Sequence, residues 1–309
     1  MTWLQSALLP AGPQAARIAA LWPPFFWGSV VIWLLVMGAL LYGAFRRRRA
    51  APGERAMARS VGAASAGTIV MLFALLALDL AVGRALTLPP EPAAVIEVTG
   101  RQWWWEVEYA DSVPSRRVTT ANEIHVPVGR PVLIRLSSSD VIHSLWVPSL
   151  AGKKDLIPGH RTSLWLQADT PGVYRGQCAE FCGVQHAKMA LLVIAEPPER
   201  YRTWLARQRE PAAPPADSLA RRGLAVFLGS SCVLCHAIAG TPAASRMGPD
   251  LTHLASRRTL AAGSLPNRRG ALAGWIADPQ RIKPGSRMPP NPLGPGDLRA
   301  LLAYLEGLR

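Results

Sequence analysis

The residues Cys178-Ala-Glu-Phe-Cys182-Gly-Val-Gln-His186-Ala-Lys-Met189 place two thiols, an imidazole, a thioether and a carboxylate within twelve positions. Thiolate and thioether ligands select copper, zinc or iron, and imidazole suits copper and zinc. A single blue-copper site needs one cysteine, two histidines and a weak axial methionine, so the second cysteine indicates a second copper ion. Two thiols four positions apart on one loop can bridge two ions.

A second imidazole is available in Asp140-Val-Ile-His143-Ser-Leu-Trp-Val-Pro148, where the histidine follows a strand-like run. The alternative interpretation of the two loop cysteines is a disulfide, which an oxidising compartment permits. A disulfide would not explain the histidine and methionine beside it. The composition of the loop therefore favours a two-copper site.

The loop, read as Gly176-Gln-Cys178-x-Glu180-x-Cys182-x-x-x-His186-x-x-Met189, and the upstream segment resemble the dinuclear copper (CuA) site of subunit II of cytochrome c oxidases. The resemblance implies bridging thiolates at Cys178 and Cys182, terminal ligands at His143 and His186, a weak ligand at Met189 and a ligating backbone carbonyl at Glu180. In that family the same glutamate side chain often reaches a magnesium ion at the boundary with the catalytic subunit.

The other two cysteines lie in Cys232-Val-Leu-Cys235-His236, a spacing typical of covalent haem c attachment. Cys232 and Cys235 would hold the haem thioethers, and His236 would be the proximal ligand. Haem of this type is attached outside the cytoplasm, so the C-terminal two thirds should be exported. We expect a methionine as sixth ligand, because methionine raises the potential of a cytochrome c.

Met288 is the favoured sixth ligand, because Lys283-Pro-Gly-Ser-Arg-Met288-Pro-Pro resembles the K-x-x-x-M-P loop of class I cytochromes. The alternative, Met247, lies only eleven residues beyond His236. It stands beside Gly248-Pro249-Asp250-Leu251, which resembles the family segment whose proline carbonyl orients the proximal histidine. His253 is expected at the surface or against a haem propionate, not as a ligand.

The resemblance to class I cytochromes c covers 217–309 and implies an all-α domain whose terminal helices, predicted at 218–229 and 297–308, cross. The crossing would bring Gly223 and Phe227 near Leu301 and Tyr304. A short helix is predicted at 198–209, followed by the proline-rich spacer Glu210-Pro-Ala-Ala-Pro-Pro-Ala216, so 201–216 is assigned as a linker.

Segment 91–200 contains short β-rich runs separated by turn residues, which indicate an all-β sandwich or barrel. The resemblance makes it a cupredoxin-like Greek-key domain with the metal at one end. The predicted strands are 95–99, 103–109, 123–126, 132–136, 163–167, 172–177 and 190–195.

An aromatic run, Gly100-Arg-Gln102-Trp103-Trp104-Trp105-Glu106-Val-Glu108-Tyr109, resembles the aromatic patch of subunit II, in which the first tryptophan lies above the copper and receives electrons. That residue here is Trp103. Strand residues alternate between faces, so Trp103 and Trp105 should share one face and Trp104 the other. The alternative is an ordinary hydrophobic or membrane-packed patch, which is the favoured interpretation for Trp104.

The N-terminal 1–90 segment contains two apolar stretches, 25–45 and 61–82, that predict a transmembrane hairpin. The first is uncharged for 21 residues, and such a helix matches a hydrocarbon core of about 30 Å. Arg46-Arg47-Arg48-Arg49, with Arg55 and Arg59, forms a short basic loop expected in the cytoplasm. Asp79 is either an intramembrane acid or an interfacial residue paired with Arg84.

The formal charge of +14 suggests nucleic acid at first, but its distribution argues against it. Segment 1–90 carries +6 (eight basic residues against two acidic), 91–200 carries −1 (eleven against twelve), 201–216 carries +2 (three against one) and 217–309 carries +7 (twelve against five). The positive charge therefore has two separate locations. We expect the positive haem domain to dock transiently over Trp103 on the nearly neutral copper domain.

The combination resembles subunit II of a caa3-type haem-copper oxidase with a fused cytochrome c domain. That family implies electron transfer from a cytochrome c or bc1-type donor through haem c and CuA to subunit I, where oxygen is reduced to water and protons are pumped. It also implies subunit III, the bacterial inner membrane and redox domains on the periplasmic face. The alternatives are a CuA and haem c subunit of a nitric oxide reductase-like complex, or a membrane-anchored copper-delivery protein. A delivery protein has no need for covalent haem.

Overall fold

The computed structural model describes residues 5–46, 53–87 and 91–309. Its first two helices are α1 (Pro13–Phe45) and α2 (Glu54–Thr87), and each is long and apolar enough to cross a membrane. Arg17 Nη1 donates to the Ala85 carbonyl at 2.7 Å, so the start of α1 lies beside the end of α2. The two predicted apolar stretches therefore form the expected antiparallel hairpin.

Both helices extend beyond the predicted segments. α1 begins at Pro13, twelve residues before the expected start at 25, because a proline in the first turn needs no N–H partner. Arg47, Arg48 and Arg49 of the predicted basic loop lie outside the described residues. No ion pair among the described residues joins Asp79 to Arg84, and residues five apart on a helix do not face each other.

Two five-stranded sheets form the β domain, and the strand orders are β3-β2-β1-β5-β8 and β4-β10-β9-β6-β7. The strands are β1 Ala94–Arg101, β2 Trp104–Tyr109, β3 Val118–Ala121, β4 Glu123–Pro127, β5 Val132–Ser138, β6 His143–Trp146, β7 Lys154–Leu156, β8 Thr162–Leu166, β9 Gly172–Cys178 and β10 Ala190–Glu196. Their inward residues form one apolar core, including Ile96, Val98, Trp105, Ile124 and Ile134, all fully buried. The predicted all-β cupredoxin-like class is confirmed.

All seven predicted strands are present, and the sequence missed β3, β6 and β7. These strands have only three or four residues, too few for a two-residue alternation to be recognised. β7 is also an edge strand that carries Lys154, and lysine is a residue with which proteins protect sheet edges from further pairing.

The β1–β2 hairpin places Trp103 differently from the predicted strand 103–109. Arg101 pairs with Trp104, so Gln102 and Trp103 form the turn between the two strands. Face alternation therefore begins at Trp104 and does not apply to Trp103. Trp105 is fully buried, whereas Trp103 packs against the edge of the core at the metal end of the domain.

The C-terminal region is helical, as predicted. Its helices are α3 Pro198–Gln208, α4 Ser218–Leu228, α5 Arg269–Ala277, α6 Pro279–Ile282 and α7 Pro295–Leu305, with a small hairpin of β11 Thr259–Leu260 and β12 Leu265–Pro266. α4 begins at the N-cap Asp217, whose side chain accepts a hydrogen bond from Ala220 N at 2.7 Å. α3 packs on the β domain, where Trp204 stacks on His125 at 3.9 Å between ring centroids.

The predicted crossing of α4 and α7 is confirmed. A Cβ atom at Gly223 would lie 2.0 Å from the Ala300 carbonyl oxygen, so only glycine allows this approach. The Phe227 and Tyr304 rings meet nearby at 6.4 Å, and Leu301 is buried in the same core. The contact holds the two ends of the haem domain together.

Gly223→Ala should destabilise the haem domain by about 1–3 kcal/mol, because the added methyl group has no space at the helix crossing. The matched control is Gly274→Ala in α5, where nothing lies within 4 Å of the added Cβ. There we expect a neutral or stabilising effect, since alanine is the better helix former. Thermal unfolding of the full chain followed at the haem absorbance measures both, and equal melting temperatures would contradict the close crossing.

Candidate metal centre

Strand pairing brings the predicted ligands together. β9 ends at Cys178, β10 begins at Ala190, and the loop between them carries the other ligands. β6 starts at His143 and pairs with β9, so that Leu145 lies opposite Cys178. Backbone hydrogen bonds from Cys178 N to Met189 O and from Ala179 N to Ser144 O, both 2.9 Å, fasten the loop at its base.

The six predicted donor groups form one cluster. The two cysteine sulfurs are 3.7 Å apart, and the Cys178 sulfur lies 3.2 Å from the Glu180 carbonyl oxygen and 3.9 Å from His143 Nδ1. The Cys182 sulfur lies 3.7 Å from His186 Nδ1 and 3.8 Å from the Met189 sulfur. Because a disulfide needs about 2.05 Å, the two thiols are not bonded to each other.

The cluster is closed to solvent on most sides, since His143, Cys178, Cys182 and Met189 are all buried. Among the described residues, His143, Cys178 and Cys182 are the one set of three or more His, Cys, Asp or Glu side chains whose ligand atoms lie within 4.8 Å of one another. Two thiols, two imidazoles and a thioether are soft donors, and this set fits copper.

The two thiols have opposite protonation behaviour. Their mutual hydrogen bond lowers the pKa of Cys178 to about 3 and raises the pKa of Cys182 above its usual value. The hydrogen bond therefore favours the thiolate form of Cys178 and retains the proton on Cys182. Since thiolate is the ligating form, binding a metal would release that proton.

Asp140 orients His143. Its Oδ1 lies 2.8 Å from His143 Nε2, which leaves Nδ1 facing Cys178. Burial would raise the pKa of the Asp140 carboxyl, but hydrogen bonds from His143 and the Gln102 amide lower it below its usual value. Burial would lower the pKa of His143, but its hydrogen bonds with the Cys178 sulfur and with Asp140 raise it above its usual value. The carboxylate thus stays ionised and fixes the imidazole ring.

Trp103 and Gln102 contact the copper-loop backbone. Trp103 Nε1 donates to the Cys182 carbonyl at 2.9 Å, and Gln102 Nε2 donates to the same oxygen at 2.8 Å. Gly183, with φ of 113°, lies under the indole, and a Cβ there would approach Trp103 Cζ2 at 3.0 Å. The loop therefore requires glycine at 183, both for its backbone angle and for this contact.

The sequence did not predict that Asp140 orients His143 or that Gln102 binds the loop. An acid three residues before a ligating histidine was the available signal for Asp140, because such partners commonly fix the ring. Gln102 had no comparable signal, since its contact joins residues 80 positions apart. The Glu180 carboxylate is partly exposed and faces Lys153 at 4.0 Å.

The haem-attachment motif has two free, partly buried cysteines. His236 Nδ1 hydrogen-bonds to the Pro249 carbonyl at 2.7 Å, which is the contact expected for that proline. Burial lowers the pKa of His236, so the ring is neutral and Nε2 remains available to a metal. A Cβ at Gly248 would lie 2.8 Å from His236 Cε1, so this glycine forms a cradle for the ring.

The two candidate sixth ligands differ in exposure. Met247 is 73% exposed, whereas Met288 is half-buried and its carbonyl accepts a hydrogen bond from Gln280 Nε2 at 2.9 Å. The expectation of a surface position for His253 was wrong. Its ring is buried between the carbonyls of Arg309 and Glu210, at 2.8 and 3.1 Å, because the linker folds back onto the haem domain.

The fold and site define a membrane-anchored electron-transfer protein with a copper-binding β domain and a c-type cytochrome domain. The family model for the periplasmic domain of cytochrome c oxidase subunit II matches residues 112–196, and the cytochrome c model matches residues 220–309.

Cytochrome c oxidase subunit 2 of Alkalihalophilus pseudofirmus is 34% identical over 325 residues, which cover 98% of this chain and 91% of that protein. Its counterpart from Bacillus sp. strain PS3 is 34% identical over 204 residues, covering 63% of this chain and 56% of that protein. The crystal structure of the periplasmic domain of cytochrome oxidase subunit II from Bradyrhizobium japonicum is 27% identical, covers 40% of this chain and 97% of that chain, and gives a TM-score of 0.37.

The chain belongs to the cytochrome c oxidase subunit 2 family and carries a fused cytochrome c domain. It is accordingly an electron-transferring, membrane-anchored part of a haem-copper terminal oxidase. Copper and haem are the cofactors that the two matched domains imply. The alternatives of copper delivery and of a nitric oxide reductase-like complex are not favoured.

Asp140→Asn should weaken copper binding about 10- to 100-fold, the usual cost of removing a carboxylate that orients a ligating histidine. The physical reason is that the neutral amide holds His143 Nε2 less strongly. Competition with a copper chelator measures the affinity. The control is Asp169→Asn, an exposed carboxylate bonded to Gln167, and an equal loss in both variants would refute the orienting role.

Proposed function

We propose that the chain accepts electrons from a cytochrome c or bc1-type donor at a covalent haem c and passes them by way of Trp103 to a dinuclear CuA centre. Subunit I would receive them next and reduce oxygen to water with proton pumping. The observation that carries the proposal is the hydrogen bond between Trp103 Nε1 and the carbonyl of Cys182. It connects an indole at the domain surface to a residue of the donor cluster.

The proposed copper ligands are the six donors of the cluster, His143, Cys178, Glu180, Cys182, His186 and Met189, with Glu180 acting through its backbone carbonyl. Two thiolates 3.7 Å apart could bridge a pair of ions, whereas a single blue-copper site uses only one cysteine. When bound, copper and haem supply one-electron chemistry. The buried loop excludes water from the donors, and Asp140 fixes one imidazole.

The proposed haem ligands lie in the C-terminal domain. Cys232 and Cys235 would form the thioether links, His236 would bind iron through Nε2, and Met288 would be the sixth ligand. Support for His236 comes from the Pro249 contact, which leaves Nε2 as the unprotonated nitrogen. Support for Met288 comes from its partial burial, in contrast to the exposed Met247.

The proposed domain limits are 1–90 for the membrane hairpin, 91–200 for the copper domain, 201–216 for the linker and 217–309 for the cytochrome domain. The basic residues Arg46, Arg55 and Arg59 between or near the helix ends favour a cytoplasmic turn. Both redox domains would then lie on the periplasmic face of a bacterial inner membrane. Subunit III is a further proposed partner, and Glu180 a proposed magnesium contact toward subunit I.

A dinuclear centre predicts an oxidised EPR spectrum in which one unpaired electron is shared by two copper nuclei, with two coppers per chain. Cys182→Ser should convert the centre to a mononuclear or empty site, because only one bridging thiolate remains. The haem c optical spectrum should be unchanged, since the haem domain has its own core. A four-line, single-copper spectrum in the unmodified protein would exclude the bridged pair.

Trp103→Ala should slow haem-to-copper electron transfer by orders of magnitude, because it removes both the indole and its bond to the Cys182 carbonyl. Trp103→Phe keeps an aromatic ring but not the hydrogen bond, and an intermediate rate is expected. Flash-induced reduction kinetics measure the rates, with both optical spectra as controls. Trp104→Ala is the matched control. If it slows transfer while Trp103→Ala does not, the indole has been assigned wrongly.

A further inference from the structure

The segment just before Met288, residues 282–287, lies against the copper domain. Lys188 Nζ donates to the Ile282 carbonyl at 2.5 Å, and Gln185 Nε2 donates to the Pro284 carbonyl at 2.6 Å. These two donors belong to the copper loop, between its proposed ligands. The loop that carries the proposed copper ligands thus also holds the segment that leads to the proposed iron ligand.

Lys283 crosses between the domains in the opposite direction. Its Nζ donates to the Trp103 carbonyl at 2.9 Å and lies 3.4 Å from the Ala261 carbonyl. The residue is only 3% exposed, and no carboxylate of the described residues pairs with it. Burial, followed by the charge of Lys188, lowers the pKa of Lys283 to about 7.

An amine buried without an acidic partner is costly, because it has lost its water and recovered only carbonyl contacts. If the two domains associated only transiently, the lysine would avoid this cost by extending its amine into solvent. Its position is therefore maintained by the contacts around it, which include the Trp103 backbone itself. Arg287 adds a bond from its guanidinium to Gln102 Oε1 at 2.8 Å in the same turn.

A second attachment lies at the start of β4. The Glu123 carboxylate, 3% exposed, accepts hydrogen bonds from the backbone amides of Arg258 and Thr259 at 2.7 and 3.1 Å. Nearby, Ala190 N donates to the Ala262 carbonyl at 3.0 Å. Each domain therefore inserts one buried ionisable side chain into the backbone of the other.

The contact surface between the copper domain and the haem domain is called the seam below. The haem-domain turn at this seam has an unfavourable backbone conformation. Ala261 and Ala262 both have left-handed φ values, 52° and 55°, and Gly263 follows at 79°. Left-handed non-glycine residues cost on the order of 1 kcal/mol each and persist where surrounding contacts hold them. Here those contacts come from Lys283 Nζ and Ala190 N, and the latter belongs to the copper domain.

The exposed ion pairs across the seam are weaker restraints. Arg246 faces Glu108 at 3.7 Å and Arg287 faces Asp140 at 3.9 Å, with both arginines about two-thirds exposed. Such pairs contribute little to stability and are screened by salt. The expected attraction of opposite charges is present, but buried hydrogen bonds hold the seam.

We propose that Lys283 is a positioning residue for interdomain electron transfer, which holds the haem domain in one fixed orientation over Trp103 instead of allowing a transient encounter. The proposal rests on the proposed function for its kinetic consequence. Its structural part, a fixed seam, stands on the contacts alone. Two attachments at separate loops, Lys283 on Trp103 and Glu123 on the 258–259 amides, restrict both translation and rotation of one domain on the other.

The test compares Lys283→Met with the unmodified chain in the purified oxidase complex. Methionine keeps most of the length of the lysine side chain and its apolar stem but loses the N–H donors. Lys154→Met, at an exposed position in β7, is the matched control. The first readout is hydrogen exchange of the seam amides of Ala190, Arg258 and Thr259, which does not depend on electron transfer. The second is the haem-to-copper rate after flash reduction, measured with increasing glycerol.

In the unmodified protein and the control we expect protected seam amides and a rate independent of viscosity. In Lys283→Met the seam amides should exchange faster. The haem-to-copper rate should fall about tenfold or more, because the loss of a buried hydrogen bond lowers the population of the docked orientation by about that factor, and it should become viscosity-dependent. Viscosity dependence distinguishes loss of positioning from general damage to the fold. A haem domain that is fixed over Trp103 needs no diffusive step before electron transfer, whereas a released one does. If Lys283→Met does not fold, Lys283→Gln replaces it. Glutamine is a shorter, neutral donor, and its hydrogen exchange and transfer rate are measured in the same way.

The proposal is overturned if Lys283→Met keeps the protection and the viscosity-independent rate of the unmodified protein. It is equally overturned if the unmodified protein already transfers at a viscosity-dependent rate. A different result would instead contradict the proposed function. In that case the seam amides are protected in the unmodified protein and exposed in Lys283→Met, but neither protein transfers electrons from haem to copper. The exchange data and the kinetic data therefore distinguish the two failures.

Discussion

The pairing of β6 with β9 is the constraint on which the metal centre depends. This register sets Leu145 opposite Cys178 and so places His143, from a distant part of the chain, against the two-cysteine loop. A one-residue slip would turn every side chain of β6 to the other face of the sheet and remove His143 from the cluster. The backbone bonds at the base of the loop, from Cys178 and Ala179, prevent such a slip.

Around this pairing the other sheet supplies the supporting contacts. The β1–β2 turn brings Gln102 and Trp103 to the Cys182 carbonyl, and the amide of Gln102 binds the carboxylate that orients His143. One two-residue turn thus contacts both the loop and the histidine partner. The haem domain then attaches to the same turn through Lys283 and Arg287. Ligand geometry and domain position are consequently coupled through Gln102 and Trp103.

The local chemistry of the site was readable from the sequence because each signal lies within a short stretch. The Cys178–Met189 spacing and the Pro249 segment join residues close in sequence, and the structure brings those residues into the expected contacts. The strands were recognised where five or more residues alternate, and short strands such as β6 and β7 were not. The start of α1 was missed because the prediction followed the uncharged apolar run from residue 25, whereas the helix already begins at Pro13, a residue compatible with a first turn.

By itself, the sequence determined which donor residues cluster, the two apolar helices, the all-β and all-α classes of the two domains and the crossing at Gly223. The tertiary structure decided which side chains support the ligands and how the domains meet. Asp140, Gln102, Glu123 and Lys283 act through partners up to 180 residues away. Such contacts leave no periodicity in the sequence, because they depend on how loops from separate elements converge. Burial then decides how strong these hydrogen bonds are, because a hydrogen bond from a lysine or to a carboxylate is stronger where water is excluded.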